Sequence, residues 1–102
     1  MAQPYFVLSP RAVADLRAIE EYVTVESGAA RAAAIHERIY HSLNMLAYWP
    51  NSGRLRRELE GQPRGFAVAP WYVFYEPLAT LDGIHVLRVV DGRRDIQAIS
   101  IR

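Results

Sequence analysis

A chain of 102 residues with a formal net charge of +1 has room for one domain of common size, taken as residues 1–102, and no overall charge that would draw it to nucleic acid. The absence of cysteine excludes a disulfide framework and a thiolate nucleophile and leaves zinc only His and carboxylate ligands; His36 and His41 match one helix face poorly, so neither a metal nor another cofactor is expected. No apolar stretch reaches the ~20 residues of a membrane span, and the N-terminus lacks a basic region followed by an apolar core, so a cytoplasmic location with no membrane partner is expected.

"YFVL", Tyr5 to Leu8, is a short run of strand formers bounded by Pro4 and "SP", and it reads as a buried strand. Ser9 and Pro10 then form a helix start, because the serine oxygen can accept an orphan backbone N–H and proline supplies the φ of the first helical position. Val13 (or Ala12), Leu16, Ile19 and Val23 recur at helical spacing, with Arg11, Asp15, Arg17, Glu20 and Glu21 mostly on the other side. Gly28 ends this helix or links it to the next, which Ser27 could cap. A second helix, from about Ala29 to Tyr48, carries the stripe Ala32, Ile35, Ile39, Leu43 (or Ser42) and Leu46. The short link implies an antiparallel helical hairpin.

Pro50 with Asn51, Ser52 and Gly53 stops the second helix. Residues Arg54 to Gly65 read as a polar connection beginning with a turn of helix. Three strand-like runs follow, Phe66–Ala69, Trp71–Tyr75 and Ile84–Val90, with Pro70 at an irregular corner and Asp82-Gly83 a turn signal before the last. The remainder, "DIQAISIR", is too short to assign: Ile99 and Ile101 alternate as in a strand, while Ile96 and Ile99 have the spacing of a helical turn. These elements predict an α+β fold: a small antiparallel β-sheet packed on one face by an N-terminal α-helical hairpin, in the order β-α-α-β-β-β. Strict pleat alternation puts His85, Leu87 and Val89 on one face of the last strand and Val86, Arg88 and Val90 on the other. The helices cover one face only, and an arginine in mid-strand is costly if buried unpaired, so Arg88 is expected to mark the uncovered face.

All twelve cationic residues are arginine, each a planar fork suited to phosphate or carboxylate. Arg54, Arg56, Arg57, Arg64, Arg88, Arg93 and Arg94 fall in the C-terminal half and could converge on the open face; pairwise neutralisation by Glu58, Glu60, Asp91 and Asp95 is the competing reading. Trp71, Tyr72, Phe74 and Tyr75 could stack a base, although at least two of the four should be core. Within "DGRRD", one arginine is expected to be fixed by Asp91 or Asp95 while the other faces a partner. A Gly-rich phosphate loop, a nucleophile elbow and a telling carboxylate pair are all missing from the sequence.

Four stretches in this order, "LSPRAVADLRAIEEYV", "WPNSGRLRREL" after Leu46, "PRGFAVAPWYVFYEP" and "HVLRVVDGRRDI", resemble the ParE branch of the RelE/ParE toxin superfamily of bacterial type II toxin–antitoxin systems. The resemblance implies a RelE/ParE-like fold and a cytoplasmic, non-enzymatic toxin that poisons DNA gyrase, blocks replication and is neutralised by a ParD-like antitoxin. The clustered Arg54, Arg56, Arg57, Arg64, Arg88, Arg93 and Arg94, with Trp71, are the candidate partner contacts, and no direct nucleic-acid binding is expected outside the toxin–antitoxin complex. The antitoxin segment is expected to be acidic and apolar and to fold over the hairpin groove and sheet edge, touching residues such as Tyr22, Tyr48, Trp49 and Val23, although core packing is the stronger expectation for Val23. The RelE branch uses the same fold to cut mRNA on the ribosome, and fold does not choose between the two. In that alternative Arg64, Arg88 and Arg93 would stabilise phosphorane-like charge. A proton shuttle is harder to find, since lysine is absent and neither histidine nor tyrosine follows Arg88. A third alternative is a degenerate antitoxin-binding module without toxicity. ParE-like chains often carry histidine where Asp91 stands, which favours a turn-stabilising role for Arg93 here.

Overall fold

The computed structural model describes residues 3–80, 82–96 and 99–101. The elements are β1 (Tyr5–Leu8), α1 (Pro10–Ser27), α2 (Ala29–Tyr48), β2 (Arg54–Leu55), β3 (Arg64–Val68), β4 (Trp71–Pro77) and β5 (Gly83–Asp91). They build one five-stranded sheet in the order β1-β5-β4-β3-β2, with β1 parallel to β5 and the other pairs antiparallel. The α+β class and the helical hairpin on one face follow the sequence expectation, with a parallel edge and the two-residue β2 added. β1 is half-exposed rather than buried: it lies at the sheet edge, with Tyr5 49% and Val7 43% exposed. No helix among the described residues is long and apolar enough to cross a membrane.

Local chemistry explains where the helices begin and end. Ser9 Oγ accepts the Ala12 N–H at 3.0 Å and donates to the Leu87 carbonyl at 2.8 Å, so one side chain both caps α1 and ties it to β5. Gly28, at φ +91°, is the whole link between the helices: its N–H bonds to the Thr24 carbonyl and its own carbonyl receives the Ala32 N–H. Ser27 ends α1, and no side chain caps the start of α2.

The stripe of α2 is buried as its spacing predicts, with Ala32, Ile35, Ile39, Leu43 and Leu46 against Val68, Val73, Tyr75, Ile84, Val86 and Val89 of the sheet. Each fully buried aliphatic side chain there contributes about 1.5–3 kcal/mol relative to exposure. The α1 stripe reaches the same core through Ala12 and Val23, with Leu16 and Ile19 partly covered.

The far face of the sheet is not open. Leu59 from the connection and Ile101 from the C-terminal segment join Phe74, Leu87 and Val90 in a second core, with Tyr72, Ile96 and Ile99 packed around it. Gln97, Ala98 and Arg102 of the unassigned "DIQAISIR" stretch lie outside the described residues. Pleat alternation fails within β5 because the register shifts: Phe74 lies opposite Arg88 and Tyr75 opposite Val86, leaving Leu87 as the extra residue of a bulge. Ile84, Val86 and Val89 consequently face the helices, while Leu87 and Val90 face away. The connection starts with β2 and continues in tight turns, Leu59 N–H to Arg56 carbonyl and Gln62 N–H to Leu59 carbonyl, instead of a turn of helix.

Candidate functional site

Beyond the end of β1, the edge of β5 is closed by α1 rather than by another strand. Asp15 accepts the Arg88 Nε–H at 2.8 Å on one oxygen and an Arg88 Nη2–H at 3.0 Å on the other, and also takes the Val89 backbone N–H at 2.9 Å. Both side chains are mostly shielded, 12% exposed for Arg88 and 15% for Asp15. The hydrogen bond from Arg88 to Asp15 holds the guanidinium pKa above its ordinary value. Arg88 also donates to the Ser100 carbonyl at 2.6 Å, and Arg11 donates to the Ser100 hydroxyl at 2.9 Å, so the same node fastens the C-terminal segment. Arg88 therefore does not stand free on an uncovered face, and Asp15 does not face solvent. The sequence held a signal for this: Asp15 is three residues from Ala12 and four from Ile19, on the buried stripe of α1.

The other arginines expected to converge occupy separate settings. Arg64 donates to the Gly53 carbonyl at 2.8 Å and so organises the loop after α2. The same loop is anchored from below by Tyr75, whose hydroxyl accepts the Gly53 N–H and donates to the Pro50 carbonyl, each at 2.8 Å. Burial pushes the Tyr75 hydroxyl pKa up, and this ring is core, as are Phe74 and much of Tyr72. Arg56 lies over the Tyr72 ring, 5.5 Å from its centroid, donates to the Tyr72 hydroxyl at 3.1 Å and pairs with Glu58 at 3.0 Å. Arg54 and Arg57 are exposed. Pairwise neutralisation thus holds for Arg56 with Glu58 and for Arg93 with Asp91.

The turn after β5 resolves the paired arginines. Asp91 accepts the backbone N–H of Arg93 at 2.9 Å and its side chain at 3.0 and 2.6 Å, a fork-on-carboxylate contact within three residues. Arg94 contributes its backbone N–H to the Asp91 carbonyl at 3.1 Å, and its side chain is exposed. Both arginines line a groove of about 430 Å³ that runs between α1 and the ends of β4 and β5, walled by Ile19, Tyr22, Trp71 and Val89. Trp71 is half-buried here and packs against the helix-side core. No group of three or more metal-ligating side chains is assembled among the described residues.

The Arg93 side-chain hydrogen bond, reinforced by the Arg93 N–H, lowers the Asp91 pKa from its ordinary value to about 2. An unfolded aspartate titrates near ~3.9, so the turn's stabilisation is complete above that value and is lost as pH falls through about 2. A carboxyl-carbon NMR titration should place the Asp91 midpoint near about 2. A midpoint at the unfolded value would show that Arg93 is not held.

Comparison with known proteins gives a consistent set of relatives. The family described as the ParE toxin of the type II toxin-antitoxin system, parDE, matches residues 6–96. Toxin ParE3 of Caulobacter vibrioides is 34% identical over 86 residues, covering 82% of this chain and 82% of that protein. The solved structure of a chromosomal ParDE TA system from P. aeruginosa has the same fold, with a TM-score of 0.72 at 23% identity over 87% of this chain and 96% of that one.

Proposed function

Because the chain belongs to the ParE toxin family of type II toxin–antitoxin systems, we propose that it inhibits DNA gyrase in the cytoplasm by binding, without catalysis, and is neutralised by a ParD-like antitoxin. The family match over residues 6–96 carries this reading. Side-chain geometry supports its non-catalytic part. A ribonuclease would need Arg64, Arg88 and Arg93 around one phosphate beside a proton acceptor. Arg64 is committed to loop carbonyls, Arg88 to Asp15 and Ser100, and Arg93 to Asp91, so each is held by a partner of its own. His85 stands 3.4 Å from Glu76 on the β4–β5 pair.

The surface left for partners combines exposed arginines, Arg54, Arg57 and Arg94, with exposed apolar side chains, Tyr22, Val25, Tyr48 and Trp49. Val23 is 5% exposed and belongs to the core, as was the stronger expectation for it. Supercoiling by purified gyrase is the direct test: relaxed plasmid should persist when the protein is present at micromolar excess. Undiminished supercoiling at that excess would sink the gyrase reading, and ribosome-dependent mRNA cleavage would replace it with the ribonuclease one.

A further inference from the structure

We propose that the outer edge of β1 pairs with the same edge of a second copy of the chain, antiparallel and centred on Val7, so that two five-stranded sheets join into one. Such pairing is independent of what the chain inhibits.

The two edges of the sheet are built differently. β2 is only two residues long and begins with the exposed Arg54, and a short edge strand carrying a charge resists pairing with another chain. β1 has neither protection. Its run Tyr5–Leu8 is uncharged and without proline, it pairs with β5 without a register shift, and no strand lies on its outer side among the described residues. The N–H groups of Tyr5 and Ser9 point inward, to the Asp82 and Val86 carbonyls. Backbone groups alternate sides along a strand, so those of Phe6 and Leu8 point outward.

These outward groups fit a second copy of themselves. In an antiparallel pair, residues directly opposite can exchange both backbone bonds, so Phe6 against the second copy's Leu8, and Leu8 against its Phe6, makes about four hydrogen bonds. Every outward donor of the two strands is used. Pro4 and Pro10 close the ladder at its ends, since neither has an N–H to donate. Val7 then meets the second copy's Val7 on the two-fold axis, where the Cα atoms approach to about 4.5 Å and a β-branched side chain packs well.

Charge selects the antiparallel orientation. Asp82 stands at the Tyr5 end of β1, while Arg11 and the start of α1, whose first turn holds no acidic residue, stand at the Leu8 end. Antiparallel pairing brings these unlike ends together. A net charge of +1 leaves little repulsion between copies. An acidic antitoxin segment, by contrast, would find no cation within Tyr5–Leu8; the exposed Arg54 and Arg57 lie toward the opposite edge and Arg94 follows the far end of β5.

Apolar surface flanks the ladder on both faces. Tyr5 is 49% and Val7 43% exposed on the side away from the helices. On the helix side Phe6 meets Tyr40 edge-on at 5.4 Å, and Tyr40 stacks on His36 at 4.1 Å, which forms an aromatic strip along α2 beside the edge. Pairing covers these groups in both copies. A ladder this short falls below a standard interface of ~1,600 Å², so the association is micromolar or weaker.

Sedimentation equilibrium of the full chain from about 5 to about 500 µM should show the mass rising from 11.6 kDa toward twice that value. Val7→Lys and Val7→Glu each set like charges face to face on the axis, so either alone should weaken the dimer by about tenfold or more, and an equimolar mixture should restore it. An unfolded variant cannot give that restoration. Arg54→Glu, on the other edge, should leave the association unchanged. Amide exchange at Phe6 and Leu8 should slow as protein concentration rises, while exchange at Tyr5 and Ser9 should not. A mass that stays at 11.6 kDa throughout, an unaltered dimer in Val7→Lys, or a mixture that remains monomeric would overturn the proposal. Protection of Phe6 and Leu8 that appears only when antitoxin is added would also overturn it, by giving the edge to the antitoxin.

Discussion

Asp15→Ala should lower the stability of the fold by about 3–5 kcal/mol in urea denaturation, the cost typical of removing one partner from a shielded ion pair. Three losses combine. The Arg88 guanidinium, 12% exposed, is left without its counter-charge; the Val89 N–H loses its acceptor at a point where no strand lies on the β1 side of β5; and the hold on Ser100 loosens because Arg88 is no longer oriented. The pair Asp15→Leu with Arg88→Met should recover more than half of the loss, since an apolar pair removes the unpaired charge that makes the single change costly. Asp15→Asn should fall between, keeping an acceptor for Val89 while giving up the charge. A loss below about 1 kcal/mol for Asp15→Ala would mean that water screens the contact as it does an ordinary surface pair.

Gly83→Ala should be comparably damaging, about 3 kcal/mol, and its damage should begin at β1. Gly83 sits at φ +149°, where side chains are strained, and a methyl group added there would lie 1.7 Å from the Tyr5 carbonyl oxygen. That oxygen belongs to the strand that pairs with it, Tyr5 opposite Gly83, and the neighbouring Tyr5 N–H already bonds the Asp82 carbonyl at 3.0 Å. Backbone cannot swing aside as a flexible side chain can, so β1 must move or detach. Amide exchange should therefore rise first at Tyr5 and Ser9, whose N–H groups bond the Asp82 and Val86 carbonyls, with β3 and β4 protected until global unfolding. Uniform exchange across the sheet in the variant would show that β1 is not the point of failure.

The helical half of the fold was legible because its signals are local. Ser9-Pro10 marks a start, Gly28 a link, Pro50 a stop, and the α2 stripe repeats with the helical period, so few residues of context suffice. The sheet was legible in outline, since three runs of strand formers announce themselves. What stayed hidden depends on contacts distant in sequence or too short to have a period. β2 is two residues long. The bulge at Leu87 follows from the pairing of β5 with β4, and it reversed the faces read from simple alternation. Asp15 and Arg88 are 73 positions apart, so the acid that Arg88 required could not be seen beside it. Leu59, Ile96, Ile99 and Ile101 look like loop and tail residues, yet they cover the face the helices leave bare. The pinned Arg93, by contrast, was readable from "DGRRD", because a carboxylate two residues away needs no tertiary fold to reach it.

The parallel pairing of the first and last strands sets the order in which this chain can complete itself. Phe6 finds Ile84 only across a separation of 78 residues, while the α1–α2 hairpin and the β3–β4 pair close over short loops. Local closures come early and distant ones late, because the entropy of bringing chain ends together must be met before the contacts form. During synthesis the hairpin emerges with its apolar stripe facing no sheet, and β1 waits with it. β5 lies between β1 and β4, so its arrival joins both halves at once. Completion of the toxin fold is in this sense a single late event, and a ribosome that stops before residue 83 releases a chain without the strand that joins β1 to β4, its apolar surface exposed.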